Sequence, residues 1–332
     1  MQSGDDCVYT LTSPDGTLAL EAIAYGATLT RLLVPDRNGE QADVVLGFGD
    51  PARYRSAHPY FGAMAGRVAG RISRSQFQLE GKTYLLAAND PPNHLHGGIR
   101  GFDKHLWQAE QLDASAVRFS LTSADGEEGY PGTVQASVTY LLNNGAFTMD
   151  VTATTDRPTP FSITQHSYFN LAGENSGESI ESHELEIYAD EFAPADGRMG
   201  LVGRRERVGV ANDFRRPRTL GQAIGALHGR HGDLYFTHAQ GPDLVDAARL
   251  VHPGSGRVMT VRSNESCIQL YTGVSLDGSL VGKSSKPYRP HAGLCLECEG
   301  YPDGANTPAL GDIILRPHQP LWRRTVYAFS TF

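Results

Sequence analysis

An acidic side chain in the middle of a strongly alternating segment is the first feature of this sequence that could do chemistry. Residues 294–299 alternate with the period of two that is typical of a β-strand, and they place Glu297 on the face opposite two leucines. Burying a carboxylate away from water costs free energy unless hydrogen bonds or an opposite charge compensate for it. Gly, Pro and Asn residues then predict a loop at 300–306. A carboxylate on a strand beside a loop is suited to act as a general base, and a structural role for Glu297 remains the alternative.

Two other segments carry histidines that could transfer protons or bind polar groups. His94 and His96 follow a run of Asn, Asp and Pro residues at 89–92, which predicts a loop, where ligand contacts are common. A His-x-His pair could also bind zinc, but no further ligand stands at a standard spacing, so we expect no metal. His166 lies in residues 161–173, a predicted strand that runs into a loop, and it is either a catalytic or a structural residue.

Alternating segments dominate the rest of the chain and must position these side chains. Residues 117–121, 134–140 and 147–153 each alternate between apolar and polar side chains, and an Asn-Asn-Gly turn separates the last two. One buried and one polar face is typical of an antiparallel sheet. Helical periodicity is scarce, and the best candidate, residues 219–227, is short and contains two glycines. The pattern predicts an all-β fold.

Composition argues against several classes of function. The chain has 332 residues and a formal net charge of −8. It therefore lacks the excess of positive charge that is typical of proteins that bind nucleic acid or an anionic membrane. No apolar run approaches the ~18 residues of a membrane span, and the first residues resemble no signal peptide, which predicts a cytoplasmic protein. Four cysteines are too few for a disulfide framework. Because no linker or shift in composition divides the chain, we expect residues 1–332 to form one domain.

Several runs of residues together resemble one family. Leu-Glu at 296–297 continues into Gly-Tyr-Pro-Asp at 300–303. His-Leu-His-Gly-Gly stands at 94–98, and His-Ser-Tyr-Phe-Asn-Leu stands at 166–171. A Gly-Asp pair at 232–233 is a weaker match. In type and order these runs resemble the aldose 1-epimerases, the galactose mutarotase family, over nearly the whole chain. The resemblance implies a large antiparallel β-sandwich, the galactose mutarotase-like supersandwich, with its site in a cleft on a sheet face.

The resemblance also implies a reaction and the residues that perform it. Enzymes of this family interconvert the α and β anomers of a free aldose by opening and reclosing the sugar ring. By resemblance, Glu297 is the base and His166 is the acid. Sugar hydroxyls would be held by Arg71, His96 and Asp233. One acid and one base suffice for this chemistry, so we expect neither a cofactor nor a metal. The expected partner is a monosaccharide, and the protein is expected to be a monomer or a homodimer.

Three alternative functions remain open from the sequence. A sugar-phosphate 1-epimerase could use Arg67 and Arg71 to bind a phosphate. A non-catalytic carbohydrate-binding protein on the same scaffold would need no acid and base. A glycoside hydrolase would need a second carboxylate near Glu297, and Asp233 or Glu299 could serve.

The resemblance is incomplete at positions that bear on the substrate. The residues that differ from what it leads us to expect are Gly70, Gln165, Leu234, Tyr235 and Glu299. They leave open whether the sugar is galactose, glucose, a pentose or a modified hexose.

Overall fold

The computed structural model describes residues 7–227 and 231–332 and is built mainly from β-strands. The first of these are β1 (Val8–Thr12), β2 (Ala19–Ile23), β3 (Thr28–Pro35), β4 (Gln41–Asp43), β5 (Met64–Ala65), β6 (Arg71–Ile72), β7 (Gln76–Leu79), β8 (Lys82–Leu85), β9 (His94–Leu95), β10 (Gln108–Asp113), β11 (Ala116–Ser123), β12 (Val134–Asn143) and β13 (Ala146–Thr155). They are followed by β14 (Thr159–Pro160), β15 (Thr164–Gln165), β16 (Glu184–Ile187), β17 (Glu191–Ala193), β18 (Glu206–Arg207), β19 (Arg218–Thr219), β20 (Leu234–Phe236), β21 (Val245–His252), β22 (Arg257–Ser263), β23 (Cys267–Tyr271), β24 (Cys295–Glu299), β25 (Ile314–Leu315) and β26 (Leu321–Thr331). Helical structure is short: α1 (Leu220–Ala223) and 3-10 turns at Pro51–Arg55, Ser73–Ser75, Phe102–Lys104, Glu127–Gly129, Ile180–Ser182 and Ile224–Ala226.

Antiparallel pairing joins these strands into large sheets. The largest has nine strands in the order β10-β11-β12-β13-β26-β22-β21-β16-β19. A five-stranded sheet has the order β18-β17-β20-β23-β24, and β1 to β4 form a four-stranded sheet. Separate two-stranded antiparallel sheets, among them β5 with β15 and β6 with β9, lie outside the large sheets. The predicted all-β fold with large antiparallel sheets is confirmed.

Smaller sequence predictions can also be compared with the structure. The best helix candidate, residues 219–227, contains α1 and the 3-10 turn that follows it. The four cysteines all lie in the described part of the chain and are free, as expected. Among the described residues, no helix is both long and apolar enough to cross a membrane.

The main hydrophobic core collects side chains from all three large sheets. β12 buries every second residue against it, as the sequence pattern predicts. Tyr140 of this strand places its ring in the core and donates its hydroxyl proton to the carbonyl of Ala27 at 2.7 Å, which satisfies the polar end of a buried aromatic side chain. The core therefore fixes the sheets relative to one another.

The same core determines which way β24 presents its side chains. Because successive side chains of a strand point to opposite faces, Leu296 and Cys298 enter the core. Cys295, Glu297 and Glu299 consequently share the other face of the strand. The strand is anchored by its apolar face and carries its two acids on the opposite one.

Arg67 is buried and is committed to the protein backbone. Its Nη1 donates to the carbonyls of Pro131 at 3.0 Å and Gly132 at 2.9 Å, and its Nη2 donates to the carbonyl of Ala124 at 3.1 Å. The residue is only 2% exposed. This arginine is a structural group that satisfies loop carbonyls, so it does not support the phosphate-binding role that the sequence left open.

We expect the substitution Arg67→Ala to lower the free energy of unfolding by about 3 kcal/mol, because buried carbonyls would lose their donors. The measurement is urea denaturation followed by tryptophan fluorescence. Arg31→Ala is the matched control, since this side chain is 47% exposed and its contact with Glu21 is 3.4 Å long. The control should change stability by no more than about 0.5 kcal/mol. Equally small effects in both variants would contradict the structural role of Arg67.

Candidate active site

Glu297 lies at the centre of β24, where its carboxyl group is shielded from water. It pairs with Gln269 of β23 in the antiparallel register, and its side chain is 3% exposed. Burial raises the pKa of Glu297 to about 8, while the positive charge of Arg71 acts in the opposite direction. The carboxyl group therefore holds a proton far more strongly than an exposed glutamate would.

His166 follows β15 directly and faces Glu297. Its Nε2 lies 3.6 Å from Oε2 of Glu297, close enough for a bound ligand to bridge the two groups and carry a proton between them. Its backbone N–H donates to the carbonyl of Ala63 at 2.9 Å, and its ring stacks on those of Tyr60 and Tyr168. Burial lowers the pKa of His166 to about 3.

The two pKa shifts describe a pair that holds one proton over a wide pH range. Burial penalises the charged form of each group, so the structure favours protonated Glu297 beside neutral His166. The ion pair of the two residues contains the same number of protons. A ligand that hydrogen-bonds to the charged forms can therefore move the proton from Glu297 to His166 without exchange with solvent.

His96 is the third member of this group, and its backbone surroundings set its tautomer. The N–H of Gly70 donates to Nδ1 of His96 at 3.1 Å, and the N–H of His96 donates to the carbonyl of Gly70 at 3.0 Å. Burial, followed by the charge of His166, lowers the pKa of His96 well below its ordinary value. A neutral ring whose Nδ1 accepts must carry its proton on Nε2. His96 is therefore a hydrogen-bond donor at Nε2.

Arg71 and Asp233 line a narrow cleft beside these residues. Nε of Arg71 donates to Oδ2 of Asp90 at 2.7 Å, which fixes the orientation of the guanidinium group. Asp233 immediately precedes β20, and its Oδ2 accepts from Nδ2 of Asn212 at 3.2 Å. The cleft is small, with a volume of about 30 Å³.

Gln269 is a candidate that the sequence predictions missed. It lies opposite Glu297 in the ladder between β23 and β24, and it lines the same cleft as Arg71 and Asp233. Its amide can both donate to and accept from sugar hydroxyls. A polar residue between two apolar residues of a buried strand is the same signal that drew attention to Glu297, and it could have identified Gln269.

The positions that depart from the family resemblance fall into two groups. Gly70 and Leu234 line the cleft, and the carboxyl group of Glu299 lies against Gly70. Gln165 instead donates to a backbone carbonyl, and Tyr235 lies in the main core. The first group lies at or beside the cleft, where a bound sugar could meet it.

The predicted site residues are therefore brought to one region of the molecule. Glu297, His166 and His96 form a buried group, and Arg71 and Asp233 line the adjacent cleft. His94 does not belong to the group: its Nδ1 contacts a backbone carbonyl at 2.8 Å, and its ring packs on a tyrosine.

Comparison with known proteins assigns this arrangement to a family. The sequence profile described as aldose 1-epimerase matches residues 8–328. The chain belongs to the aldose 1-epimerase family. Pig galactose mutarotase is 42% identical over 331 residues, which cover 99% of this chain and 96% of the relative. The aldose 1-epimerase of Escherichia coli K12 is 32% identical over 314 residues, which cover 92% of this chain and 90% of the relative.

Solved structures place this epimerase-family chain in the same fold. An aldose epimerase homologue from C. elegans superimposes with a TM-score of 0.90 at 28% identity, covering 98% of this chain and 99% of that chain. The galactose 1-epimerase of Lactobacillus acidophilus superimposes with a TM-score of 0.83 at 25% identity, covering 100% of this chain and 97% of that chain. The predicted galactose mutarotase-like sandwich is thereby confirmed.

The buried group also meets the geometric requirement for a metal site, because one donor atom from each of His96, His166 and Glu297 lies within 4.8 Å of the others. The sequence-based prediction is that proton transfer by these residues needs no metal. We expect overnight dialysis against a chelator to leave the anomer-exchange rate of this epimerase-family protein unchanged. Metal analysis of the dialysed protein is the control. A rate that falls with the metal content and returns when zinc is added would contradict the prediction.

Proposed function

We propose that this protein is an aldose mutarotase that interconverts the α and β anomers of a free aldose with Glu297 and His166 as its proton-transfer pair. The observation that carries the proposal is the 3.6 Å separation of the carboxyl and imidazole groups, both buried, with Glu297 opposite Gln269, a residue that lines the cleft. Anomer exchange needs one group to remove the proton of the C1 hydroxyl and another to protonate the ring oxygen. The pair supplies both functions.

The reaction proceeds by ring opening and reclosure. Glu297 takes the proton from the C1 hydroxyl, and the C1–O5 bond breaks as a carbonyl forms at C1. His166 gives its proton to O5. The C1–C2 bond then rotates, and O5 attacks the other face of the carbonyl. His166 recovers the proton from O5 while Glu297 returns its proton to the C1 oxygen, so no proton is gained or lost over the cycle.

The protonation state of the buried pair matters for each half of this reaction. Ring opening starts from ionised Glu297 and protonated His166, whereas the open-chain sugar lies beside protonated Glu297 and neutral His166. Burial favours the second state. Hydrogen bonds from the bound sugar, together with the charge of Arg71, must stabilise the first state.

The remaining polar groups would hold the sugar in position. His96 donates from Nε2 and is suited to the ring oxygen or to a hydroxyl next to it. Arg71 donates to hydroxyl oxygens and Asp233 accepts from hydroxyl protons, and both are fixed by a neighbouring side chain. These contacts restrict how the ring can lie, which places C1 at the pair.

Galactose is the first sugar to test, because relatives of 40–43% identity are galactose mutarotases. A sugar-phosphate 1-epimerase is less well supported, since Arg67 binds backbone carbonyls and Arg71 is paired with Asp90. A glycoside hydrolase is also less well supported, because Glu299 lies buried on the same strand face as Glu297 rather than across a cleft from it. The absence of a cofactor, the cytoplasmic location and a monomeric or dimeric state stay predictions.

We expect Glu297→Gln to lower kcat by about a thousandfold, because the amide cannot accept the proton of the C1 hydroxyl. The measurement is exchange NMR between the anomers of galactose. Binding of galactose, followed by saturation-transfer NMR, should persist. Glu265→Gln is the matched control, a buried acid that lies within 3.4 Å of Arg323 and outside the cleft, and it should keep normal activity. A Glu297→Gln protein with near-normal kcat would refute the assignment.

We expect kcat/KM to be level from about pH 5 to about pH 7.5 and to fall above about pH 8. Burial raises the pKa of Glu297 to about 8 and lowers the pKa of His166 to about 3, so the pair keeps the one proton that the reaction needs between those limits. The rates are measured by polarimetry after subtraction of the uncatalysed exchange. A rate that rises through pH 8 would show that the working form is not the singly protonated pair.

A further inference from the structure

Glu299 is a buried acid for which the proposed reaction has no use. It lies two residues after Glu297 on the same face of β24, opposite Cys267 of β23, and it is 1% exposed. Around Cys267 the apolar side chains of Leu234 and Tyr301 form a small hydrophobic cluster. This surrounding resembles a core more than a binding surface, so an ionised carboxylate there would be poorly solvated.

The polar surroundings of Glu299 do not supply a counter-ion. In the described part of the chain its Oε2 has no hydrogen-bond partner, and no cation stands within ion-pair distance. Burial raises the pKa of Glu299 well above its ordinary value, and the charges of Glu297 and Glu265 add to this effect, while Arg71 opposes it. The acid is therefore uncharged when Glu297 ionises beside it.

The carboxyl group of Glu299 also lies beside Gly70, whose backbone holds His96. A Cβ atom built on Gly70 would stand 3.2 Å from Oε1 of Glu299 and 2.5 Å from Cγ of Pro302, so both side chains lie beside the Cα atom of Gly70, on the side where a side chain would project. Gly70 has φ +70°, and its N–H and carbonyl both bond to His96. Glu299 therefore lies beside the residue that holds the imidazole ring of His96.

We propose that Glu299 is a positioning residue, an uncharged carboxylic acid that braces the Gly70 peptide behind His96 and leaves Glu297 free to ionise. The inference rests on the proposed mutarotase function. Two consequences follow from the geometry. Removing the bulk of the side chain loosens Gly70 and His96. Replacing the acid by a neutral group of the same shape changes little.

The charges that face Glu299 define what a change of its ionisation would do. Glu297 lies on its own strand, Glu265 precedes the paired strand β23, and Arg71 lies on β6 beside Gly70. Cys267, directly opposite, is an uncharged thiol whose pKa burial raises. A negative charge on Glu299 would raise the proton affinity of Glu297 and move the alkaline fall in activity to higher pH. A neutral Glu299 has no such influence.

The test compares Glu299→Gln and Glu299→Ala with the wild type, using kcat/KM for galactose from pH 5 to pH 10. Glutamine has the shape of the neutral acid, so we expect kcat/KM within about twofold of the wild type. The pH at which kcat/KM falls on the alkaline side should not change. Alanine leaves only Pro302 beside Gly70, so we expect kcat/KM to fall about tenfold through misplacement of His96, while the pH at which activity falls stays unchanged. If the alanine variant does not fold, Glu299→Asp, which is one methylene shorter, makes the same comparison.

Two results would overturn the proposal. If kcat/KM of Glu299→Gln falls at a pH about one unit or more below that of the wild type, Glu299 is ionised in the wild type. Full activity in the folded alanine or aspartate variant would mean that it braces nothing. Glu265→Gln is the control and should match the wild type, since Glu265 is ion-paired with Arg323. A wild-type protein that exchanges no anomers would overturn the proposed function itself.

Discussion

The two-residue period of side chains along β24 is the constraint on which the site depends. Leu296 and Cys298 are drawn into the main core, and this leaves Glu297 and Glu299 no choice but the opposite face. A shift of the strand by one residue would turn both acids into the main core and place the apolar side chains on the face of the site. The hydrophobic effect that orders the sheet therefore also aims the carboxyl group, and no separate device is needed to orient it.

The burial that orients Glu297 also makes it costly to ionise the catalytic groups. A dry environment opposes charge on Glu297 and on His166, yet ring opening begins with both charged. The structure answers this by keeping the two groups 3.6 Å apart, so that charge separation covers a short distance. Burial also keeps His96 neutral, and the Gly70 amide fixes its tautomer, so that no further positive charge competes with His166. Proton transfer is thus confined to two groups in a region where several others could titrate.

Local sequence patterns predicted the strands well, because alternation in β12 and β13 reflects which side faces the core. They could not predict proximity: Glu297 and His166 are distant in the chain, and only their family resemblance placed them together. Arg67 shows a second limit, since an arginine among small residues looks the same in sequence whether it meets a ligand or a backbone carbonyl. The tautomer of His96 depends on the neighbouring pair of β6 and β9 and has no sequence signal. That residues 1–332 form one domain stays a prediction.

The position of β26 has a consequence for how the polypeptide is made. This strand comes last in the sequence but lies inside the nine-stranded sheet, bonded to β13 on one side and to β22 on the other. Until β26 has been synthesised, the edges of β13 and β22 that it covers lack their partner and are open to pairing with other polypeptides. Closure of the nine-stranded sheet therefore waits for β26 to emerge from the ribosome.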